Sequence, residues 1–217
     1  MVYTTHHHVS NYPLSLKRDP NNLTTMSSTN RSNARDTHKS DYYITPEKPI
    51  QEFLKHFFTI VPTWEWMKVL DPCAGGDSDT AMPYPICLKE YGINTTTNDI
   101  RNDSPAKYHS DFLEAYTHDW LPRYDLIITN PPFNIAIDII KKALTLTNEW
   151  WYVVMLLRLN FFGSKWRYTF FKENMPSHCF IHHERISFNN WPTDSIEYAH
   201  FVWKKWYNPP STLTFLL

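Results

Sequence analysis

An α/β fold, a doubly wound and mostly parallel sheet, is predicted by three observations. From about residue 45, short apolar or β-branched runs alternate with stretches of helical character. The connections between them are short, as crossovers in such a sheet are. Two of the runs also end in turn chemistry of the kind found where parallel strands present a ligand site.

The elements follow in order. A helix is expected over 47–58, behind the turn Asp41-Tyr42-Tyr43-Ile44-Thr45-Pro46. Met67-Lys68-Val69-Leu70 reads as a strand that runs into Asp71-Pro72-Cys73-Ala74-Gly75-Gly76-Asp77-Ser78 and then a helix over 80–91. Paired glycines let the backbone approach a ligand closely, and the helix behind them offers a partly positive N-terminus. Strand 93–97 ends in Asn98-Asp99-Ile100, where an acidic residue is placed to bind the two hydroxyls of a ribose. The plain alternative is that Asp99 caps the segment behind it. Asp77 stands where the dinucleotide fingerprint wants another glycine. A strand over 107–110 and a helix over 112–119 come next.

The most telling element is the buried strand Tyr124-Asp125-Leu126-Ile127-Ile128-Thr129, followed directly by Asn130-Pro131-Pro132-Phe133. Two prolines forbid both ladder pairing and immediate helix entry, so the chain turns sharply at the carboxyl end of the strand. An amide oxygen and a carbonyl there can accept both hydrogens of a flat exocyclic amine while the ring of Phe133 stacks on the heterocycle behind it. Those are the requirements for acting on the amino group of a base. A helix over 135–147, a strand over 151–157, a helix over 164–174 and strands over 179–184 and 197–204 complete the order. His182 and His183 are expected on opposite faces of their strand.

Composition bounds the reading. The chain has 217 residues, enough for one sizeable core, and 42% hydrophobic with 16% aromatic residues supplies it. A net charge of −1 confines any nucleic-acid surface to a local patch. Cys73, Cys87 and Cys179 are scattered without a CxxC pair, which argues against a zinc site or a disulfide framework. The apolar run from Trp150 is stopped by Arg158, too short to span a bilayer, and no charged-then-apolar leader opens the chain. A cytoplasmic enzyme with no membrane partner is expected. Residues 1–40, rich in Ser, Thr and Asn and without glycine, are expected to form a disordered or weakly ordered tail, with 41–217 a single domain.

Taken together, Asp71-Pro72-Cys73-Ala74-Gly75-Gly76, Asn98-Asp99, Asp111-Phe112 and Asn130-Pro131-Pro132-Phe133 resemble the ordered motifs of S-adenosylmethionine-dependent adenine-N6 methyltransferases. Tyr43-Ile44-Thr45-Pro46 resembles the Tyr-x-Thr-Pro element that precedes the glycine motif in that family, and Arg185-Ile186-Ser187-Phe188 with strand 196–203 resembles the end of the small phage-type DNA adenine methylases. The likeness covers roughly residues 40–205. It implies the seven-stranded, Rossmann-like methyltransferase sheet whose last strand inserts antiparallel. It implies S-adenosyl-L-methionine as cofactor, held by Tyr43, Thr45, Asp71, Cys73, Ala74, Gly75, Asp99, Ile100, Asp111, Phe112 and Asn130. Asp111 would accept from the cofactor's adenine amine, with Phe112 packed on its ring; Cys73 is a small packing residue in the turn, not a nucleophile.

The implied reaction is methyl transfer to the N6 amine of adenine extruded from duplex DNA, with Asn130, Pro131, Pro132 and Phe133 as the catalytic element and no metal. An RNA adenine or protein glutamine methyltransferase would use nearly the same site, and a non-catalytic nucleic-acid-binding fold is the remaining alternative. In a viral setting the host cytoplasm would be the location. Two basic-aromatic runs, Lys165-Trp166-Arg167-Tyr168 and Trp203-Lys204-Lys205-Trp206-Tyr207, are candidate nucleic-acid patches. No separate target-recognition domain is visible. Target choice therefore falls to the loops at 160–165 and 188–195, the tail, or a second subunit.

Overall fold

The computed structural model describes residues 43–64, 66–115, 122–188, 196–206 and 210–216, so the tail expected over 1–40 lies outside the described residues. The chain begins with helix α1 (Glu47–Ile60), strand β1 (Val69–Asp71), helix α2 (Pro83–Lys89), β2 (Thr95–Asp99) and the two-residue β3 (Tyr108–His109). It continues through β4 (Tyr124–Thr129), α3 (Ala136–Leu146), β5 (Thr147–Arg158), α4 (Tyr168–Glu173), β6 (His178–His182), β7 (Tyr198–Lys204) and β8 (Thr212–Leu216). These strands form one sheet in the order β3-β2-β1-β4-β5-β7-β6-β8.

β1 through β5 pair in parallel, and β7 inserts antiparallel between β5 and β6. The doubly wound, mostly parallel sheet is therefore the expected one, with one correction: it has eight strands, not seven, because β8 pairs in parallel with the outer edge of β6. The helix expected over 112–119 is, in its described part, a turn in which the Asp111 carbonyl accepts from Glu114 N–H at 3.2 Å and Ala115 N–H at 2.7 Å. The helix expected over 164–174 divides into a single 3₁₀ turn at Lys165–Arg167 and then α4.

Strand alternation feeds two cores. Leu126, Ile128, Tyr152, Val154 and Val202 face α1 and α2, while Ile127, Val153, Met155, Leu157, Ala199 and Phe201 face α3 and α4. α1 meets its face with Ile50, Phe53, Leu54 and Phe57, the i, i+3, i+4, i+7 stripe of an amphipathic helix. His182 is buried and His183 exposed, as strand alternation requires.

The winding reverses at β1. From there the chain steps outward to β2 and β3, then returns to the other side of β1 as β4. Neighbouring crossovers depart to opposite sides at such a point and leave a crevice at the carboxyl ends of the strands.

Candidate active site

Three strand ends open onto that crevice: β1 ends in Asp71, β2 in Asp99, and β4 leads into Asn130. The turn behind β1 takes two consecutive left-handed residues, Gly75 (φ 66°) and Gly76 (φ 74°). A Cβ on Gly76 would also stand 3.0 Å from both Met82 Cγ and Pro105 Cδ, so a side chain there would need a strained backbone and a shift of its neighbours.

The end of β2 clamps this turn. Asp99 Oδ2 accepts the Gly75 N–H at 2.8 Å, and the Asn98 carbonyl accepts the Ala74 N–H at 2.9 Å. Arg101 donates to Asp99 Oδ1 through its backbone N–H (2.9 Å) and its Nε (3.2 Å), and its guanidinium reaches the Gly76 carbonyl. Ser104 donates its hydroxyl to the Gly75 carbonyl. A carboxylate offers about four acceptor positions. Three on Asp99 are taken and one is left. Asp77 has its own work: its Oδ1 accepts from the N–H groups of Asp79 (2.9 Å) and Thr80 (2.8 Å). That closed turn delays α2 to Pro83, so the helix N-terminus does not abut the glycines as expected.

Asp71 is fully buried. One of its carboxylate oxygens accepts the Cys73 N–H at 3.3 Å; the other, Oδ2, has no partner. Burial pushes its carboxyl up to about 7, against the pull of the Cys73 N–H and with Asp99 adding to the rise, while the Thr129 hydroxyl donates to the Cys73 carbonyl at 3.4 Å. The Cys73 thiol is pushed well up by burial and by the nearby carboxylates, which suits packing and not nucleophilic attack.

Asn98 holds the floor of the site together. Its amide donates to the Pro72 and Ser110 carbonyls, each at 3.0 Å, and accepts the Ser110 hydroxyl at 2.7 Å. Asp111 follows, half-buried, with Oδ1 accepting the Leu113 N–H at 2.9 Å. Phe112 is 4% exposed and belongs to the core on the α3 side. Ile100, at 48%, is the apolar side chain that the end of β2 exposes.

At the end of β4, Asn130 donates its amide N–H to Thr45 Oγ1 at 3.0 Å, and its Oδ1 is buried without a partner. The segment before α1 and the loop behind β4 are thus joined by a side-chain hydrogen bond. Pro131 is buried; Pro132 and Phe133 are half-buried. The Phe133 ring lies 6.0 Å from Tyr198, which stands 5.0 Å from Phe188, and Phe188 meets Tyr43 edge-on at 6.1 Å. The Arg158 guanidinium lies 4.9 Å from the centre of the Phe133 ring. Sequence reading missed Arg101, Ser104, Tyr198 and Arg158 as members of this site. The only signal for Arg158 was a lone charge at the end of an apolar run.

The two basic-aromatic runs part company. Arg158 of β5 pairs with Tyr198 of β7 at the site end, so Lys165–Tyr168, which follows β5, starts from that end. β7 runs the other way, so Lys204 lies toward the far end of the sheet in the rung Tyr152↔Lys204, with Lys205 and Trp206 beyond it. Trp203 is core, 3% exposed, Lys205 donates to the Thr147 carbonyl, and Tyr207 lies outside the described residues. That run cannot flank the crevice.

No family model matches the chain, and no curated protein does. Solved structures do. A class I S-adenosylmethionine-dependent methyltransferase of Listeria monocytogenes, so described provisionally, superposes with a TM-score of 0.60 at 14% identity over 85% of this chain and 69% of that one. The fold is that of the class I methyltransferases. A protein of Pyrococcus horikoshii, provisionally described as an RNA methyltransferase, gives 0.57 at 15% identity over 76% of this chain and 88% of its own. The methyltransferase subunit of a type I restriction-modification system from Streptococcus thermophilus gives 0.54 at 11% over 80% and 47%. Among the described residues of this methyltransferase fold, no helix is long and apolar enough to cross a membrane.

Proposed function

We propose that this chain transfers a methyl group from S-adenosylmethionine to the N6 amine of adenine in DNA. The observation that carries the reading is Asn130: its amide nitrogen is spent on Thr45, which turns a buried, unpartnered Oδ1 into the free acceptor of the loop. An unsatisfied buried acceptor costs about 1–3 kcal/mol, so it marks a place where a donor is expected. The donor that Asn130-Pro131-Pro132-Phe133 suits is a planar amine on a ring.

The residues present fit the cofactor. Asp71 Oδ2 is a second orphaned acceptor beside the glycine turn, Asp99 retains one acceptor position, and Ile100 offers an apolar surface. Asp71, Cys73, Ala74, Gly75, Asp99, Ile100 and Asp111 would hold it, with Tyr43 and Thr45 near its methionine end. S-adenosylmethionine, when bound, supplies an electrophilic methyl group on a positively charged sulfur.

The protein's part is placement. An adenine amine is a weak nucleophile because its lone pair is delocalised into the ring. Acceptance of its hydrogens by Asn130 Oδ1 and the Pro131 carbonyl favours a pyramidal nitrogen with more electron density on its free side. Thr45 fixes the rotation of the Asn130 amide, so the acceptor is in position before the base arrives. Phe133 offsets part of the few kcal/mol that extrusion of the base costs. Target choice would come from the loops at this end of the sheet or from a second subunit, and the chain spans less than half of the Streptococcus subunit it resembles.

Replacing Asp99 with Ala should weaken S-adenosylmethionine binding by roughly 1.5–3 kcal/mol, the range for charge-assisted hydrogen bonds. Because Gly75 and Arg101 also lose their acceptor, Tm should fall with it. Calorimetry showing full affinity in the folded variant would remove Asp99 from the cofactor site.

The substrate is tested with methyl-labelled S-adenosylmethionine offered duplex DNA, structured RNA and a glutamine-containing protein side by side. Label on N6 of DNA adenine is the expected result. Label confined to RNA or to glutamine would overturn the DNA assignment while keeping the transferase.

A further inference from the structure

Two guanidinium groups at the site end of the sheet are held in an unusual way. Arg158 lies over the Phe133 ring at 4.9 Å, and Arg167 lies over Phe161 at 4.3 Å with Trp166 at 5.2 Å. Both have a buried Nε without a hydrogen-bond partner. Among the described residues neither forms an ion pair. The contrast is local: Arg101 is paired with Asp99 at 3.2 Å, and Arg185 takes Glu197 at 3.2 Å. Asp99 and Glu197 at this end of the sheet are therefore matched to other arginines, and neither Arg158 nor Arg167 shares them.

Half-buried guanidiniums are costly to leave without an anion. A guanidinium held over an aromatic ring with its Nε buried keeps its terminal Nη groups for a bidentate, planar partner, a geometry that matches phosphate. Phe161 is buried in the same core cluster against which Phe133 packs, so both platforms rest on one core. In the proposed function Phe133 receives the extruded base, and the charged groups nearest to such a base along its own strand are the phosphodiesters on either side of its sugar.

We infer that Arg158 and Arg167 form a backbone-phosphate subsite that grips the strand on which the target base lies. This rests on the nucleic-acid reading above and adds to it a named means by which a nearly neutral protein holds a polyanion. The grip also aligns the base: a strand fixed beside Phe133 has less freedom to lose when its base enters the crevice.

The test is the salt dependence of binding to a fluorescent DNA duplex. Each neutralised phosphate contributes about 0.9 to the slope of log affinity against log salt on duplex DNA. Arg158→Gln and Arg167→Gln should each lower the slope by about that amount and the double variant by about twice it. Arg→Lys at either position should preserve the slope, because the charge is kept. A double variant with the wild-type slope would overturn the subsite. A wild-type protein whose nucleic-acid binding shows no salt dependence would instead overturn the DNA reading, so the two failures are distinct. A measurement on the unaltered protein guards against misfolded variants: in an oligothymidine carrying one adenine, neutral methylphosphonate linkages beside that adenine should flatten the salt dependence. Unchanged salt dependence there would also overturn the subsite.

Discussion

Asn130→Ala should lower the single-turnover rate of methyl transfer by two or more orders of magnitude, roughly what loss of one well-placed acceptor costs, with S-adenosylmethionine affinity nearly unchanged. The separation follows from the geometry. Asn130 Oδ1 is the free acceptor of its loop, whereas the contacts of the glycine turn run through Asp99, Asn98, Arg101 and Ser104. Truncation also leaves the Thr45 hydroxyl without the Asn130 amide, so a small loss of stability, about 1 kcal/mol, should accompany it. Asn130→Asp keeps an acceptor in place of Oδ1 and lets the Thr45 hydroxyl donate to the other oxygen. It should retain more activity than the alanine variant. Phe133→Ala should be milder still, and partly rescued on mismatched or single-stranded adenine, where extrusion costs less. Wild-type turnover by Asn130→Ala would sink the acceptor mechanism altogether.

The parts of this molecule legible in the sequence are those decided by local chemistry. A β-branched run that ends in two prolines stops at one place, and β4 runs from Tyr124 to Thr129 as read. Two adjacent glycines announce left-handed backbone, and both Gly75 and Gly76 adopt it. What could not be read depends on which strands become neighbours. β8 is a five-residue edge strand with β6 as its partner, and nothing within residues 210–216 foretells that pairing. Arg101 reaches Asp99 locally, two residues on, but Gly75 reaches it only when β1 and β2 pair, so the shared carboxylate could not be read from the sequence. The basic-aromatic run after Trp203 misled because composition carries no strand direction; antiparallel insertion of β7 sends it to the far end. Arg158 looked like the mere end of an apolar run, yet the same rung that ends β5 brings it to the loop behind β4.

Stability between about pH 5 and 6 should fall on acidification, with a slope set by three buried groups of opposing sign. Tyr84, His200 and His182 form a buried chain: the Tyr84 hydroxyl meets His200 Nε2 at 2.9 Å, and His200 Nδ1 meets His182 Nε2 at 2.8 Å. The Phe53 ring stacks on His200 at 4.0 Å. Burial lowers His182 to about 4 and drives His200 well down, helped by its neighbour. In this window the unfolded chain protonates both rings and the folded chain neither. Their stabilisation is therefore whole above about pH 6.5 and lost as pH falls toward the folded values. Asp71 acts in the reverse sense. Raised from 3.8 to about 7, its stabilisation is whole below the unfolded value and lost as pH rises through 7. Two histidines against one aspartate leave a net difference near one proton, about 1.4 kcal/mol per pH unit. His178, also lowered by burial, adds to the histidine side, so the comparison between variants is decisive. Asp71→Asn removes the opposing group and should steepen the slope by about one proton. His200→Phe should flatten it by about one proton, and should lower stability at pH 7 by about 1–3 kcal/mol for each partner orphaned, Tyr84 and His182. Urea unfolding at several pH values reads all three slopes. Equal slopes in the wild type and His200→Phe would show that His200 does not fold as a neutral ring.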